Sequence, residues 1–103
     1  MRFIMAMTGL VLLGTLPVAA AGPDGAALYK SKCTMCHGAD GAGQTPTGKA
    51  MKLRDLRAAE VQKQTDVELT KIIAGGKGKM PPFGKQLSMA DIQALIAHVR
   101  TLK

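Results

Sequence analysis

The sequence predicts an all-α domain of three or four helices. Two observations carry that expectation. No segment alternates apolar and polar residues with the period of two that a half-buried strand requires, whereas apolar residues recur at helical spacing in several places. Stretches rich in Gly, Pro and Thr, residues 37–49 and 76–87, separate the periodic segments and read as loops.

The chain begins with a segment of a different kind. Arg2 is followed by an uncharged run over residues 3–21 that contains Pro17 and closes on Ala19, Ala20 and Ala21. A positive start, an apolar stretch, a helix breaker and small residues are the parts of a secretory signal, with cleavage expected near Ala21–Gly22. The rival reading is an uncleaved anchor, since the run is nearly long enough to span a bilayer. The expected organisation is a leader over residues 1–21 and one domain over 22–103. A domain this small usually needs a disulfide, a metal or another prosthetic group. With one tyrosine, two phenylalanines and no tryptophan in the chain, something besides aromatic side chains is expected to fill its middle.

The elements follow in order. Over residues 23–36, Pro23 and Asp24 can open a helix on which Ala26, Tyr29 and Cys33 share a face. Residues 52–64 read as a short helix or two turns. Thr65 and Glu68 have capping-box spacing before an apolar face of Leu69, Ile72 and Ile73, and Gly75–Gly76 stop that helix. Ser88 caps the last helix with Asp91 in its first turn. There Ile92, Leu95, Ile96 and Val99 keep the helical period, and Arg100 and Lys103 suit the carboxyl end.

Past residue 21 the chain carries 13 Lys and Arg against 7 Asp and Glu. Nucleic-acid binding is disfavoured, because aromatic stacking platforms are missing and the basic residues are dispersed. The charge reads as solvated surface, with a subset able to steer acidic partners.

Both cysteines fall in Lys32–Gly38, "KCTMCHG". A dithiol oxidoreductase would want a βαβ setting, which is absent. A structural zinc site would need four ligands, and Cys33, Cys36 and His37 supply three, with only His98 to complete them. Cys-x-x-Cys-His matches covalent attachment of c-type haem. Two thiols one helical turn apart reach the two vinyl groups of one porphyrin, and the next residue sets an imidazole on the iron. Zinc and dithiol readings stay as the minor alternatives.

For the second axial position the candidates are His98, Met35, Met51, Met80 and Met89, with lysines as outsiders. Met35 lies inside the attachment motif, Met89 opens the last helix, Met51 reads as gap-filling core and His98 as a packed residue on that helix. Met80 is the expected ligand. It lies in "GKGKMPPFGK", where glycines allow close approach and Pro81 and Pro82 stiffen the chain and donate no backbone hydrogen bond.

With these residues in place, the sequence resembles the short bacterial class I cytochromes c over residues 22–103. The resemblance implies a small cytochrome c fold wrapped around one covalent haem c, with first and last helices crossing. It places Gly25 and Tyr29 at that crossing, opposite Leu95 and His98. His98 departs from the family's usual aromatic there, which implies a packing role and a weaker contact. Pro46 resembles the proline whose carbonyl orients the proximal imidazole, although Thr45-Pro46 replaces the usual Gly-Pro. The expected function is electron transfer on a His37/Met80-ligated haem in the periplasm, not catalysis, because both axial positions are filled. Leu69, Ile72, Ile73, Phe83 and Leu95 are the expected apolar shell. Lys77, Lys79 and Lys85 are a candidate collar for acidic redox partners; the membrane is reached only through those partners, and the chain is expected to be a monomer. A ligand-binding haem sensor or peroxidase-like enzyme with a displaceable Met80 is the alternative.

Overall fold

The computed structural model describes residues 8–15 and 22–103. The expected leader therefore lies largely outside the described residues. Residues 8–15 form no helix, and Leu10, Val11, Leu12 and Leu13 stand exposed. Among the described residues no helix is long and apolar enough to cross a membrane.

Six helical segments and no strand make up the described residues: α1 (Gly25–Lys32), α2 (Thr34–His37), α3 (Pro46–Met51), α4 (Ala59–Gln62), α5 (Asp66–Gly75) and α6 (Met89–Thr101). Three are long, and three are four to six residues each. The predicted first helix is real but split. Asp24 caps α1 by accepting from the Ala27 amide at 3.2 Å. Cys33 keeps a right-handed backbone and donates its amide to the Tyr29 carbonyl, so α2 follows after a single residue. Of its expected face, Tyr29 and Cys33 pack against the core and Ala26 does not. Ala26 is exposed, and Gly25, Leu28 and Tyr29 turn inward.

The predicted capping box of Thr65 with Glu68 forms on α5, and Ser88, expected as the cap of α6, makes a second capping box with Asp91. At the end of α5, Gly76 takes φ 76° and its amide bonds to the Ile72 carbonyl. A substituent there would press on the Met80 carbonyl, so glycine serves both the stop and the close return of the chain. α3 was expected to be loop. Thr45 accepts from the Gly48 amide as N-cap and Pro46 takes the first helical position, a Thr-Pro start that outweighs the local Gly and Pro content.

α1 and α6 cross in close contact, and α5 lies along α6. The crossing is set by Gly25, where any Cβ would run into the Ala94 carbonyl. Beneath it, Tyr29, Val61, Leu69, Leu87, Ile92, Leu95 and Ile96 are the buried core. Arg100 fastens the end of α6: its guanidinium donates to the Gln62 and Gln64 carbonyls and to Asp66 at 2.6–2.8 Å. The core is small, and next to it the helices leave an open apolar chamber.

Candidate functional site

The chamber has a volume of about 480 Å³. That is in the range of small-molecule and cofactor pockets, roughly 300–1,000 Å³. Cys33, His37 and Met80 line it, together with Leu69, Ile72, Ile73 and Leu95. A smaller cleft of about 80 Å³ adjoins it, and Cys36, Pro81 and Phe83 line that one. Cys33, His37, Met51, Leu53, Lys79 and Met80 border both. The expected attachment cysteines, His37, Met80 and the expected apolar shell thus lie around the chamber and the cleft that adjoins it.

α1, α2 and α3 position the Cys-x-x-Cys-His turn. The Tyr29 hydroxyl donates to the Gly38 carbonyl at 2.6 Å, just past His37. The Thr45 hydroxyl donates to the Cys36 carbonyl at 2.7 Å, and the Gly43 amide to the His37 carbonyl at 2.8 Å. Gly48 sits so close to the carbonyls of Gly43 and Cys36 that a Cβ would collide with both. Three elements therefore hold the backbone on both sides of His37. Sequence reasoning missed Thr45 and Gly48; the Thr-Pro start of α3 was the available signal.

The His37 ring has its Nδ1 buried without a hydrogen-bond partner among the described residues. Burial lowers its pKa, which keeps the imidazole neutral with a lone pair to give. Pro46, expected to accept from this ring, is not hydrogen-bonded to it. It occupies the first position of α3, where its carbonyl belongs to the first helical turn.

Cys33 and Cys36 are free thiols, both half-buried. Burial, and then the neighbouring Cys36, push the Cys33 pKa up to about 11. A thiol exchanging disulfides needs the opposite shift, so the dithiol reading loses its chemistry here. Among the described residues no group of three or more His, Cys, Asp and Glu could hold a metal ion.

Met80 is held by backbone. It pairs with Lys77 through two amide–carbonyl bonds of 3.0 and 3.2 Å, and Phe83 and Gly84 donate back to the Ile73 and Ala74 carbonyls. The loop is thus pinned to the end of α5 on both sides of the methionine. Of the other candidates, Met35 is 82 % exposed and Met89 61 %. His98 stacks on Tyr29 with ring centroids 4.8 Å apart, a packing position. Met51 borders the chamber from the end of α3.

Lys77 and Lys79 stand at the chamber wall, while Lys85 borders neither space. No Asp or Glu lines either one. An apolar slot of this size, two thiols one turn apart and a buried neutral imidazole fit a covalently attached haem c.

A protein family described as "Cytochrome C oxidase, cbb3-type, subunit III" matches residues 20–99. A cytochrome c6 of Microcystis aeruginosa is 32% identical over 76 residues, which cover 74% of this chain and 90% of that protein. A cytochrome c6 of Picosynechococcus is 32% identical over 90 residues, 84% of this chain and 77% of its own. The cbb3-type cytochrome c oxidase subunit FixP of Azorhizobium caulinodans is 33% identical over 82 residues, but these span 27% of that longer protein. Among solved structures, the c-type cytochrome KustC0563 superposes with a TM-score of 0.73 at 35% identity, over 79% of this chain and 99% of that one.

Proposed function

Because this chain belongs to the monohaem class I cytochromes c, through its cbb3-type subunit III domain, and so is an electron carrier with one covalent haem c, we propose a specific ligand set and working place for it. Cys33 and Cys36 form the thioethers, His37 gives the proximal ligand and Met80 gives the distal one. The observation that carries this is that Cys33, His37 and Met80 all border the apolar chamber and, with Cys36, the cleft that adjoins it.

Bound there, haem c supplies a one-electron iron couple. The chain's own residues set how that couple behaves. A thioether sulfur from Met80 donates weakly and favours the reduced state relative to a second imidazole, an effect for which cytochromes c are the general example. Leu69, Ile72, Ile73, Phe83 and Leu95 keep water from the site and disfavour the extra charge of the oxidised state. Backbone pinning on both sides of His37 and Met80 lets the ligand set change little on reduction, which keeps electron exchange fast.

The domain works in the periplasm after export by the leader over residues 1–21, as a monomer that meets its redox partners transiently. Lys77 and Lys79 at the chamber wall, exposed and with no carboxylate partner, support docking to acidic surfaces.

The test is a redox titration of purified holoprotein with absorption spectra. Ferric protein should show the weak near-infrared band of iron–thioether ligation, and Met80→Ala should abolish it. Persistence of the band in that variant, or rapid carbon monoxide binding by the ferrous wild type at neutral pH, would overturn the assignment.

A further inference from the structure

Past the leader the chain has four methionines, Met35, Met51, Met80 and Met89. The fold gives each sulfur a different setting. Met80 is the axial ligand in the reading above, so its sulfur lone pair is committed to iron. Met51 is half-buried at the end of α3 and borders both the chamber and the cleft. Met89 opens α6, and its sulfur accepts from the Gln93 side-chain amide at 3.7 Å. That amide also donates to the Thr70 hydroxyl at 2.9 Å, so it is held between α6 and α5. Met35 has none of these attachments. It is 82 % exposed against 61 % for Met89, and unlike Met89 its sulfur accepts no hydrogen bond among the described residues.

The place of Met35 is as distinctive as its exposure. It lies in the four-residue α2, between the two half-buried thiols. The residues on either side are drawn inward. The Thr34 hydroxyl donates to the Tyr29 carbonyl at 3.1 Å, and the Cys36 carbonyl accepts from the Thr45 hydroxyl at 2.7 Å. Met35 is left pointing outward, at the edge where the two cysteines would fasten a haem. Lys32, three residues before it, and Lys79, one of the two docking lysines, both border the adjoining cleft. An unbranched, polarizable thioether among exposed lysines is an apolar contact of the kind that protein interfaces favour.

We propose that Met35 is the oxidant-sensitive residue of this cytochrome: a hydroperoxide converts its thioether to the sulfoxide before it touches the other three, and the sulfoxide slows electron exchange with partners. The inference rests on the attachment of haem at Cys33 and Cys36 proposed above. With hydrogen peroxide, the sulfur lone pair attacks one oxygen, the oxygen–oxygen bond breaks and a sulfur–oxygen bond forms. The displaced hydroxide takes the remaining hydroxyl proton and leaves as water. Sulfur loses two electrons and the peroxide gains them. The product is a polar side chain that holds water where a partner's apolar contact has to be made, and methionine sulfoxide reductases reverse the step. The attachment edge thus carries a reversible switch that leaves the iron ligands untouched.

The experiment exposes ferric holoprotein to a small excess of hydrogen peroxide at neutral pH and follows each methionine by peptide mass spectrometry. Met35 should oxidise about tenfold faster than Met51, Met80 or Met89. Electron transfer to an acidic partner protein at low ionic strength should slow about threefold after oxidation and recover on treatment with both sulfoxide reductases. Peroxide-treated Met35→Leu should keep its rate, and Met89→Leu should respond as wild type does. Oxidation of Met80 or Met89 as fast as Met35 overturns the proposal. So does a rate loss that persists in Met35→Leu, or sulfoxide at Met35 without any rate loss. The near-infrared band, recorded before peroxide is added, reports the Met80 ligand separately, so failure of the ligand assignment and failure of the switch are read independently.

Discussion

Replacing Tyr29 with Phe should weaken the protein at neutral pH and strengthen it in alkali, relative to wild type. The phenol is 3% exposed and donates to the Gly38 carbonyl at 2.6 Å. Phe keeps the ring and removes that bond. Because the Gly38 carbonyl still accepts from the Gly41 amide at 3.1 Å, it is not left unsatisfied. The expected loss at pH 7 is therefore the net value of one hydrogen bond, about 1 kcal/mol. For a domain of this size that lowers Tm by about 4–8 °C. The alkaline limb works in the other direction. Burial, then the charges of Cys33 and Asp40, hold the Tyr29 pKa at about 12 against an ordinary value of 10.0. An acid whose folded pKa is raised contributes stability that is fully present below the unfolded value and is lost as pH climbs toward the folded one. Wild type should thus lose about 2–3 kcal/mol between pH 10 and 12 through this group. The lower figure is the better guide, since Cys33 as a thioether carries no charge. Other alkaline effects, such as lysine deprotonation, act on both proteins and cancel in the difference. The two stability curves should cross near pH 11. Guanidinium unfolding followed by far-ultraviolet circular dichroism, in steps from pH 7 to 12, measures the difference directly. A gap that stays constant over that range would show that the phenol does not ionise with the shifted pKa and would refute the reasoning.

Gly25→Ala sets a methyl group against the Ala94 carbonyl, and overpacking at a helix crossing should cost about 1–3 kcal/mol in chemical denaturation. An unchanged midpoint would mean that α1 and α6 do not meet there. Thr45→Val removes both the N-cap of α3 and the bond to the Cys36 carbonyl, for a loss of about 1–2 kcal/mol, and faster amide exchange at Gly48 should accompany it. Electron transfer to an acidic partner should slow as ionic strength rises, and Lys77→Gln with Lys79→Gln should flatten that dependence. A rate that is flat or increasing with salt in wild type removes the steering role.

Much of this architecture was legible because local signals and the global fold agree. Thr65 with Glu68 and Ser88 with Asp91 cap the helices that their spacing announces, and Leu69, Ile92, Leu95 and Ile96 are buried where the helical period puts them. The cofactor was legible for a chemical reason, since Cys-x-x-Cys-His is an attachment geometry compressed into five positions. What stayed hidden depended on contacts between segments distant in sequence. The composition of residues 37–49 says loop, yet Thr45 caps a short helix and bonds the Cys36 carbonyl, and Gly48 lets that helix approach the Cys36 and Gly43 carbonyls. Arg54, Arg57 and Arg100 look alike as sequence. Only the structure distinguishes the two with a carboxylate partner from the one without.

The departure at His98 changes what the helix crossing does for the site. At this position a ring is needed to cover Tyr29, and His98 supplies one at 4.8 Å with the planes tilted by 42°. Tyr29 in turn borders the chamber and holds the carbonyl that follows His37. A single side chain therefore belongs to the crossing of α1 and α6, to the chamber wall and to the turn that carries His37. In a domain with so few aromatic residues, folding and ligand positioning cannot be separated into different parts of the molecule. The crossing that closes the core also holds the backbone that follows His37. A smaller or less well-packed ring at position 98 would act on His37 through Tyr29 before it exposed any of the core.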